Sequence, residues 1–361
     1  MGVFVFLPLL LPLSAWPVAR LAEHRLHPRA ATRLLTGFAV VLALCSTLCL
    51  ALLMVVGTAQ LPGNPLPDGW SDPEVRAAVP YDGIAGRAAI PALGAVVLAC
   101  LHAVARHLLV RRRAERALAG LPGARSVAVL PDPAPYAYAL PGRRRHRLGG
   151  SHGRRDRCDR RDRVVDRRGR CGRVVDPCDR CDRVVDRVVV STGMLAALGP
   201  AERRALFAHE RAHLTGRHHR HLLAVELAAR ANPFLRPLRT AVSYTAERWA
   251  DEEAAGAVGS RRTVARAIGR AALIAAPAPA AATLAHVSGG STGGGAGPVP
   301  RRVAALLGPE PAEPGLAWPP LSTAVGLAVW GAAAGATVSA LSSANSAVTL
   351  LLVLHAATPL V

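Results

Sequence analysis

Long apolar runs are the feature of this sequence that most restricts its fold. Residues 34–60 carry no charged side chain, and residues 88–110, 2–19 and about 320–341 are also largely apolar. A helix of about 20 apolar residues is long enough to cross a bilayer. We therefore predict about four transmembrane helices in place of buried core helices. The run 2–19 is the weakest span because it contains prolines, and the apolar tail 347–361 extends the last span or lies in the interface.

The distribution of arginine sets the expected orientation, because positively charged loops stay on the cytoplasmic side. The connection after the first run carries Arg20, Arg25, Arg29 and Arg33, whereas residues 61–87 carry four acidic residues against two arginines. Residues 111–113 are all arginine and follow the third run. We expect a multi-pass protein of the plasma membrane, in contact with the lipid bilayer, whose central domain faces the cytoplasm.

Charge alone makes nucleic acid a candidate partner, because the formal net charge is +20 and all 44 basic residues are arginine. However, residues 143–187 hold 17 Arg and 8 Asp and no aromatic residue on which bases could stack. We expect no nucleic-acid partner. An Arg-rich binder of nucleic acid or anionic lipid, acting through this segment, remains an alternative.

The same segment is a low-complexity repeat. Val-Val-Asp recurs at 164, 174 and 184 in three successive decapeptides with almost no apolar content, so we predict disorder for residues 143–187. The pair Cys178 and Cys181, with Cys158 and Cys171, offers a second zinc site as an alternative to a repeat unit that happens to contain cysteine.

Short strands flank the repeats. Residues 126–130 (SVAVL) and 136–140 (YAYAL) precede them, and residues 188–191 (VVVS) follow. Removing the repeats would join the turn Pro141-Gly142 to the third strand, so we predict a small β-sheet with an insertion in a hairpin. Downstream we predict one long helix from Pro200 to Asn232, further helices at about 238–258 and 263–276, and a Gly-rich linker over 277–300.

The strongest chemical signal is His209-Glu210-Arg211-Ala212-His213. Two histidines four residues apart on a helix share one face and can bind one zinc ion. In such a site the metal lowers the pKa of a bound water, and the intervening glutamate takes its proton. We predict His209 and His213 as zinc ligands, Glu210 as the catalytic base and a single Zn²⁺ as cofactor.

A catalytic zinc needs a third protein ligand, for which His219 and Glu247 are candidates. His219 completes HExxHxxGxxH, a pattern that requires a helix break at Gly216 and a downstream methionine turn. All three methionines precede the motif, and the helical pattern continues past Gly216, so we favour Glu247. Asp251, one turn after Glu247, can accept the other ring N–H of a ligand histidine. We expect the remaining histidines to be solvated or to face headgroups: His218, His219 and His221.

Four motifs occur in a fixed order between the apolar runs: AYALPG (137–142), VVVSTGML (188–195), ERRALFAHERAHL (202–214) and ERWADEEA (247–254). This arrangement resembles the BlaR/MecR-type membrane zinc metallopeptidases, which are related to HtpX and the CAAX prenyl proteases. The resemblance implies a gluzincin in which His209, His213 and Glu247 hold zinc, Glu210 is the base and Asp251 is a hydrogen-bond partner. It also implies an extended protein or peptide substrate paired with a strand at the cleft edge.

The predicted fold is mainly α: a multi-pass membrane protein with about four transmembrane helices and a cytoplasmic gluzincin-like zinc peptidase domain containing a small β-sheet. The predicted regions are three transmembrane helices (1–110), the peptidase domain (111–276), a flexible linker (277–319) and a C-terminal transmembrane segment (320–361). The predicted activity is endoproteolysis, with a repressor or membrane protein as the implied regulatory target. A catalytically inactive scaffold, spoiled by the insertion, is the main alternative.

Overall fold

The protein is mostly helical, with one small sheet. The computed structural model describes residues 7–59, 61, 82–117, 126–142, 186–275, 298–311 and 324–356. The helices are α1 (Leu7–Leu10), α2 (Ala15–Arg25), α3 (Pro28–Ala59), α4 (Asp82–Ala117), α5 (Thr192–Ala197), α6 (Pro200–Thr215), α7 (His218–Ala231), α8 (Arg236–Val258), α9 (Arg261–Ile274), α10 (Pro298–Leu307) and α11 (Ala324–Ala356). The strands are β1 (Val127–Leu130), β2 (Ala137–Leu140) and β3 (Arg187–Ser191).

Three helices are long and apolar enough to cross a membrane, over Pro28–Ala59, Ile84–Ala117 and Ala333–Leu352. The run at 2–19 forms no single long helix among its described residues, because a 3₁₀ turn at Leu11–Ser14 separates α1 from α2. The last span continues to Ala356, so the described part of the apolar tail extends that helix. Of the four predicted spans, three are therefore supported.

The helices α3 and α4 cross closely at two glycines. A Cβ atom on Gly57 would collide with the backbone of Gly86, and one on Gly86 would collide with the backbone of Gly57. Small residues of this kind let the backbones of membrane helices approach each other. The two glycines fix the crossing point near the C-terminal end of α3, remote from the part of α3 that contacts α8.

The sheet has the order β1-β3-β2, with β3 parallel to β1 and antiparallel to β2. The strand predictions are confirmed to within a residue, and the antiparallel β2–β3 pair confirms the hairpin. Its ladder runs from Ala137↔Val190 to Leu140↔Arg187, and the Gly142 backbone N–H donates to the Asp186 carboxylate at 2.6 Å. Residues 143–185, with the predicted disorder and the four-cysteine site, lie outside the described residues.

The predicted long helix 200–232 is wrong in one respect, since it is broken between α6 and α7. Arg217 lies in the left-handed region, with φ 51°, and redirects the chain after Gly216. Gly216 is needed there because a Cβ atom would collide with the His218 imidazole. As predicted, Pro200 begins α6, and the Glu202 carboxylate accepts from the Gly199 N–H at 2.8 Å.

A buried apolar core holds α7 and α8 against α3. Leu235, just before α8, and Leu238, in its first turn, pack with Leu35 and Leu42 from the first half of α3. A hydrogen bond of 3.0 Å between the hydroxyls of Thr32 and Thr245 adds a polar contact between the same helices. The helices that carry the candidate site therefore lie at the Arg-rich end of α3.

The predicted linker 277–319 contains an ordered helix, which corrects that prediction for residues 298–307. Leu306 of α10 is buried, and α10 packs on α9 and α8. The Arg261 guanidinium donates to the carbonyls of Ala305 and Gly308 at 2.9 and 2.7 Å, which satisfies acceptors at the end of the helix.

Candidate metal centre

The site is built on α6, where His209 and His213 are one turn apart. Their Nε2 atoms are 3.1 Å apart, and the His209 side chain is almost completely buried. Glu210, next in the chain, is also buried, with 8% of its surface exposed. The helical spacing places both imidazoles on one face, as predicted.

Helix α8 packs across α6 and brings Glu247 to the two imidazoles. One Glu247 oxygen lies 3.5 Å from His209 Nε2, and the other lies 3.5 Å from His213 Nε2. In a tetrahedral site with bonds of about 2.0–2.1 Å, neighbouring ligand atoms are about 3.3 Å apart. The three side chains therefore have the chemistry and spacing of a His₂Glu site, and together they could hold one metal ion.

Asp251 supports His209 from the side away from this cluster. Its carboxylate is fully buried and lies 3.0 Å from His209 Nδ1. A neutral His209 imidazole whose Nδ1 faces this carboxylate carries its proton on Nδ1, which leaves the Nε2 lone pair directed at the cluster. The structure thus brings together four residues singled out in the sequence: His209, His213, Glu247 and Asp251.

Arg302 also belongs to the site, although no motif in the sequence pointed to it. Its guanidinium lies in α10 and donates to both Asp251 oxygens at 2.7 and 2.8 Å. Its third nitrogen lies 2.9 Å from Glu247 Oε2. Two buried carboxylates require a nearby cation. The sequence could therefore have predicted a cation beside Glu247 and Asp251, but with 44 arginines in the chain it could not have identified Arg302 as that cation.

His218 also differs from its prediction, because it is buried instead of solvated. Only 1% of it is exposed, its Nδ1 lies 2.8 Å from His213 Nδ1, and its ring centroid is 4.5 Å from that of Trp249. His221 is half-buried, with Nδ1 3.2 Å from the Thr36 hydroxyl. Only the break at Gly216 turns His218 back towards α6, so a continuous helix could not have revealed this contact.

The pKa values of the two imidazoles are shifted in opposite directions. Burial alone would lower the pKa of His209, but its hydrogen bonds to Asp251 and Glu247 prevail and raise that pKa to about 10. Burial lowers the pKa of His213 to about 4, although the Glu247 charge opposes this. Burial, reinforced by His213, lowers the pKa of His218 to about 2, so this ring is neutral.

The two acids nearest the imidazoles, Glu247 and Asp251, are ionised despite their burial. Desolvation alone would raise the pKa of Glu247, but Arg302 and the two imidazoles hold it well below its usual value. The pKa of Asp251 is likewise raised by burial and lowered more strongly by Arg302 and His209. An ionised carboxylate is the form that binds a metal.

A small cleft adjoins His213, between the end of β2 and the helices α4 and α7. It is lined by Ala139 and Pro141 from the strand and by Arg111, His219 and Leu222 from the helices. His219 therefore lies beside the cluster without belonging to the group that could hold a metal. Within the described residues, β2 is an edge strand, with β3 on one side only.

The chain was also compared with known proteins. Residues 184–232, from just before β3 to the end of α7, match the model of peptidase family M48. This segment contains the HExxH motif and ends before Glu247. No curated protein and no solved structure matches the chain.

Proposed function

We propose that this chain, whose residues 184–232 match the model of peptidase family M48, is a membrane-bound zinc endopeptidase that cleaves a protein substrate. The observation that carries this proposal is the cluster of His209, His213 and Glu247, in which the two Nε2 atoms are 3.1 Å apart and each lies 3.5 Å from one oxygen of the Glu247 carboxylate. Two neutral nitrogens and one carboxylate are the donor set of a catalytic zinc that keeps one position open.

When bound, zinc would supply Lewis acidity for both the attacking water and the scissile carbonyl. Glu210 is the proposed general base, because it is buried and directly follows His209 in the HExxH motif, where the intervening glutamate takes the proton of a metal-bound water. It would accept the proton of the water and deliver it to the leaving amine. Asp251 and His218 would keep each ligand imidazole in the tautomer that directs Nε2 into the cluster.

The proposed substrate is an extended polypeptide that pairs with β2. This strand presents a free edge within the described residues, and its end at Ala139 and Pro141 lines the cleft beside His213. Main-chain hydrogen bonds to an edge strand bind a substrate with little dependence on its sequence. A repressor or a membrane protein would satisfy this requirement equally.

A cytoplasmic location of the site is supported by its position along α3. The guanidinium groups of Arg29 and Arg33 lie 5.5 and 5.3 Å from the centre of the Trp249 ring, two residues after Glu247. The catalytic helices therefore lie at the end of α3 that the positive-inside rule assigns to the cytoplasm. The site would act at the inner face of the plasma membrane.

The β2–β3 ladder bears on the alternative of an inactive scaffold. The pairing of β2 with β3 is continuous from Ala137 to Leu140. The insertion begins only after Gly142, whose backbone N–H donates to the Asp186 carboxylate. The insertion thus starts beyond the paired part of the hairpin, which favours a working edge strand over a spoiled one.

The test compares wild type with Glu210→Gln in detergent, measuring zinc content and cleavage of casein or a peptide library. We expect both proteins to bind zinc and the variant to lose on the order of 10²-fold or more in rate. Equal cleavage by both would remove Glu210 from the chemistry, and wild type without bound zinc would refute the metal site.

A further inference from the structure

We infer that Arg302 is a positioning residue of the metal centre. It would hold one oxygen of the Glu247 carboxylate, so that only the other oxygen binds the metal. One coordination position of the metal would then stay open for water. This inference rests on the proposed function. It extends the site to a helix that lies outside the predicted peptidase domain and outside the family match.

The guanidinium group of Arg302 contacts two acidic side chains, Asp251 and Glu247. Nε and one terminal nitrogen form a bidentate pair with Asp251, at 2.8 and 2.7 Å. The other terminal nitrogen contacts Glu247 Oε2 at 2.9 Å. All three nitrogens are therefore engaged by acids of α8 that are one helical turn apart.

This arrangement needs arginine in particular. The planar guanidinium presents its donors in a fixed fork, whereas lysine offers a single point charge on a flexible chain. Asp251 is fully buried and Arg302 is 9% exposed, so water cannot replace a missing donor. Without the fork, one of the two buried carboxylates would lose its partner.

The contact with Glu247 has a direct consequence for coordination. A carboxylate can bind a metal through one oxygen or through both. Oε2 accepts from Arg302 at 2.9 Å and also lies 3.5 Å from His209 Nε2, whereas Oε1 lies 3.5 Å from His213 Nε2. Oε1 is therefore the oxygen that Arg302 does not hold. Single-oxygen binding preserves the open fourth position that a catalytic zinc requires.

Helix α10 is held in place by contacts that do not involve Arg302. Arg261 binds two of its carbonyls, Leu306 is buried against α9, and Arg301 pairs with Glu23 at 3.0 Å. Arg301 also lies over the ring of Tyr244 at 4.3 Å. A change at Arg302 should therefore alter the centre while α10 stays docked, and Arg301 provides a matched control in the same helix.

The experiment compares wild type, Arg302→Gln, Arg302→Lys and Arg301→Gln in detergent. Zinc affinity is measured by competition with a chelator, and coordination is read from the visible absorption of the Co²⁺-substituted proteins. Cobalt absorbs more strongly with four ligands than with five, so the spectrum reports whether Glu247 binds through one oxygen or two.

For Arg302→Gln we expect zinc affinity to fall by about 10- to 100-fold and cobalt absorption to weaken. Arg302→Lys should keep more of the affinity but still show the weakened absorption, because one ammonium cannot hold both acids. Arg301→Gln removes contacts with Glu23 and Tyr244 and none with the two acids, so it should lose some thermal stability but keep the zinc affinity and cobalt spectrum of wild type. If thermal unfolding shows that Arg302→Gln does not fold, the zinc affinity and cobalt spectrum of Arg302→Lys decide the test.

Wild-type affinity and spectrum in both Arg302 variants would overturn the inference while leaving the proposed function intact. Weakened affinity with an unchanged spectrum would overturn the coordination role. Failure of the proposed function is recognised separately, because wild type itself would then bind no zinc or cleave no peptide.

Discussion

His218 Nδ1 lies 2.8 Å from His213 Nδ1, and the two rings meet edge to face at 90°. The tautomers of the two rings decide which nitrogen donates: with the His213 Nε2 lone pair kept for a metal, His213 carries its proton on Nδ1 and donates it to His218 Nδ1. The two ligand imidazoles are thus oriented by different partners, His213 by a neutral ring and His209 by the Asp251 carboxylate. Four predictions follow from this and from neighbouring contacts.

His218→Ala should weaken zinc binding by about 10- to 100-fold, because the His213 ring loses the group that fixes its orientation. His218→Asn should retain more affinity, since its amide can place an acceptor near the position of Nδ1. Affinity is measured by chelator competition. His219→Ala is the matched control, and a large loss of zinc there would instead favour His219 as a ligand.

Zinc binding should release about one proton at pH 7.5, because His209 must lose its proton while His213 is already neutral. The pKa of about 10 at His209 means that apparent zinc affinity rises with pH, by about tenfold per unit, and levels off above that value. Titration calorimetry in buffers of different ionisation enthalpy gives the proton count. Release near zero would contradict the raised pKa of His209, and the exposed-site variant Arg211→Gln should behave like wild type.

Gly216→Ala should destabilise the protein by about 1–3 kcal/mol, because the new methyl group would overlap the buried His218 imidazole. It should also weaken zinc binding by moving His218 away from His213. The control is Gly256→Ala, an exposed position within α8 where a Cβ atom meets nothing within 4 Å. There we expect a gain of about 0.5–1 kcal/mol from helix propensity. Thermal unfolding of both variants decides, and a stable Gly216→Ala protein would show that the ring is free to move.

Deleting residues 143–185 should leave zinc binding and thermal stability unchanged. The deletion joins Gly142 to Asp186, two residues that already lie close together, because the Gly142 backbone N–H is 2.6 Å from the Asp186 carboxylate. It leaves a three-residue hairpin loop. Loss of zinc from the shortened protein would make the insertion part of the fold. If only the full-length protein bound DNA or anionic vesicles, and did so in a salt-dependent manner, the alternative of an Arg-rich binder would be favoured.

Local patterns predicted the elements that depend on local forces. The strands around 126–140 and at 188–191 followed from apolar residues bounded by Pro and Gly, and the shared face of His209 and His213 on α6 followed from helical spacing. Glu247 was found because the HExxH motif demanded a third ligand. The break at Gly216 was missed because apolar residues continue at helical spacing on both sides of it. Arg302 was missed because its contacts with α8 span 51 residues of sequence.

The position of α10 has a consequence for the order in which the site forms during synthesis. Asp251 and Glu247 are translated well before Arg302, which follows Asp251 by 51 residues and precedes the last membrane helix. A growing chain on the ribosome therefore carries two acids without their cation until α10 has emerged. The centre is completed only after α10 has emerged, so a translation product truncated before α10 would lack the cation that both acids contact.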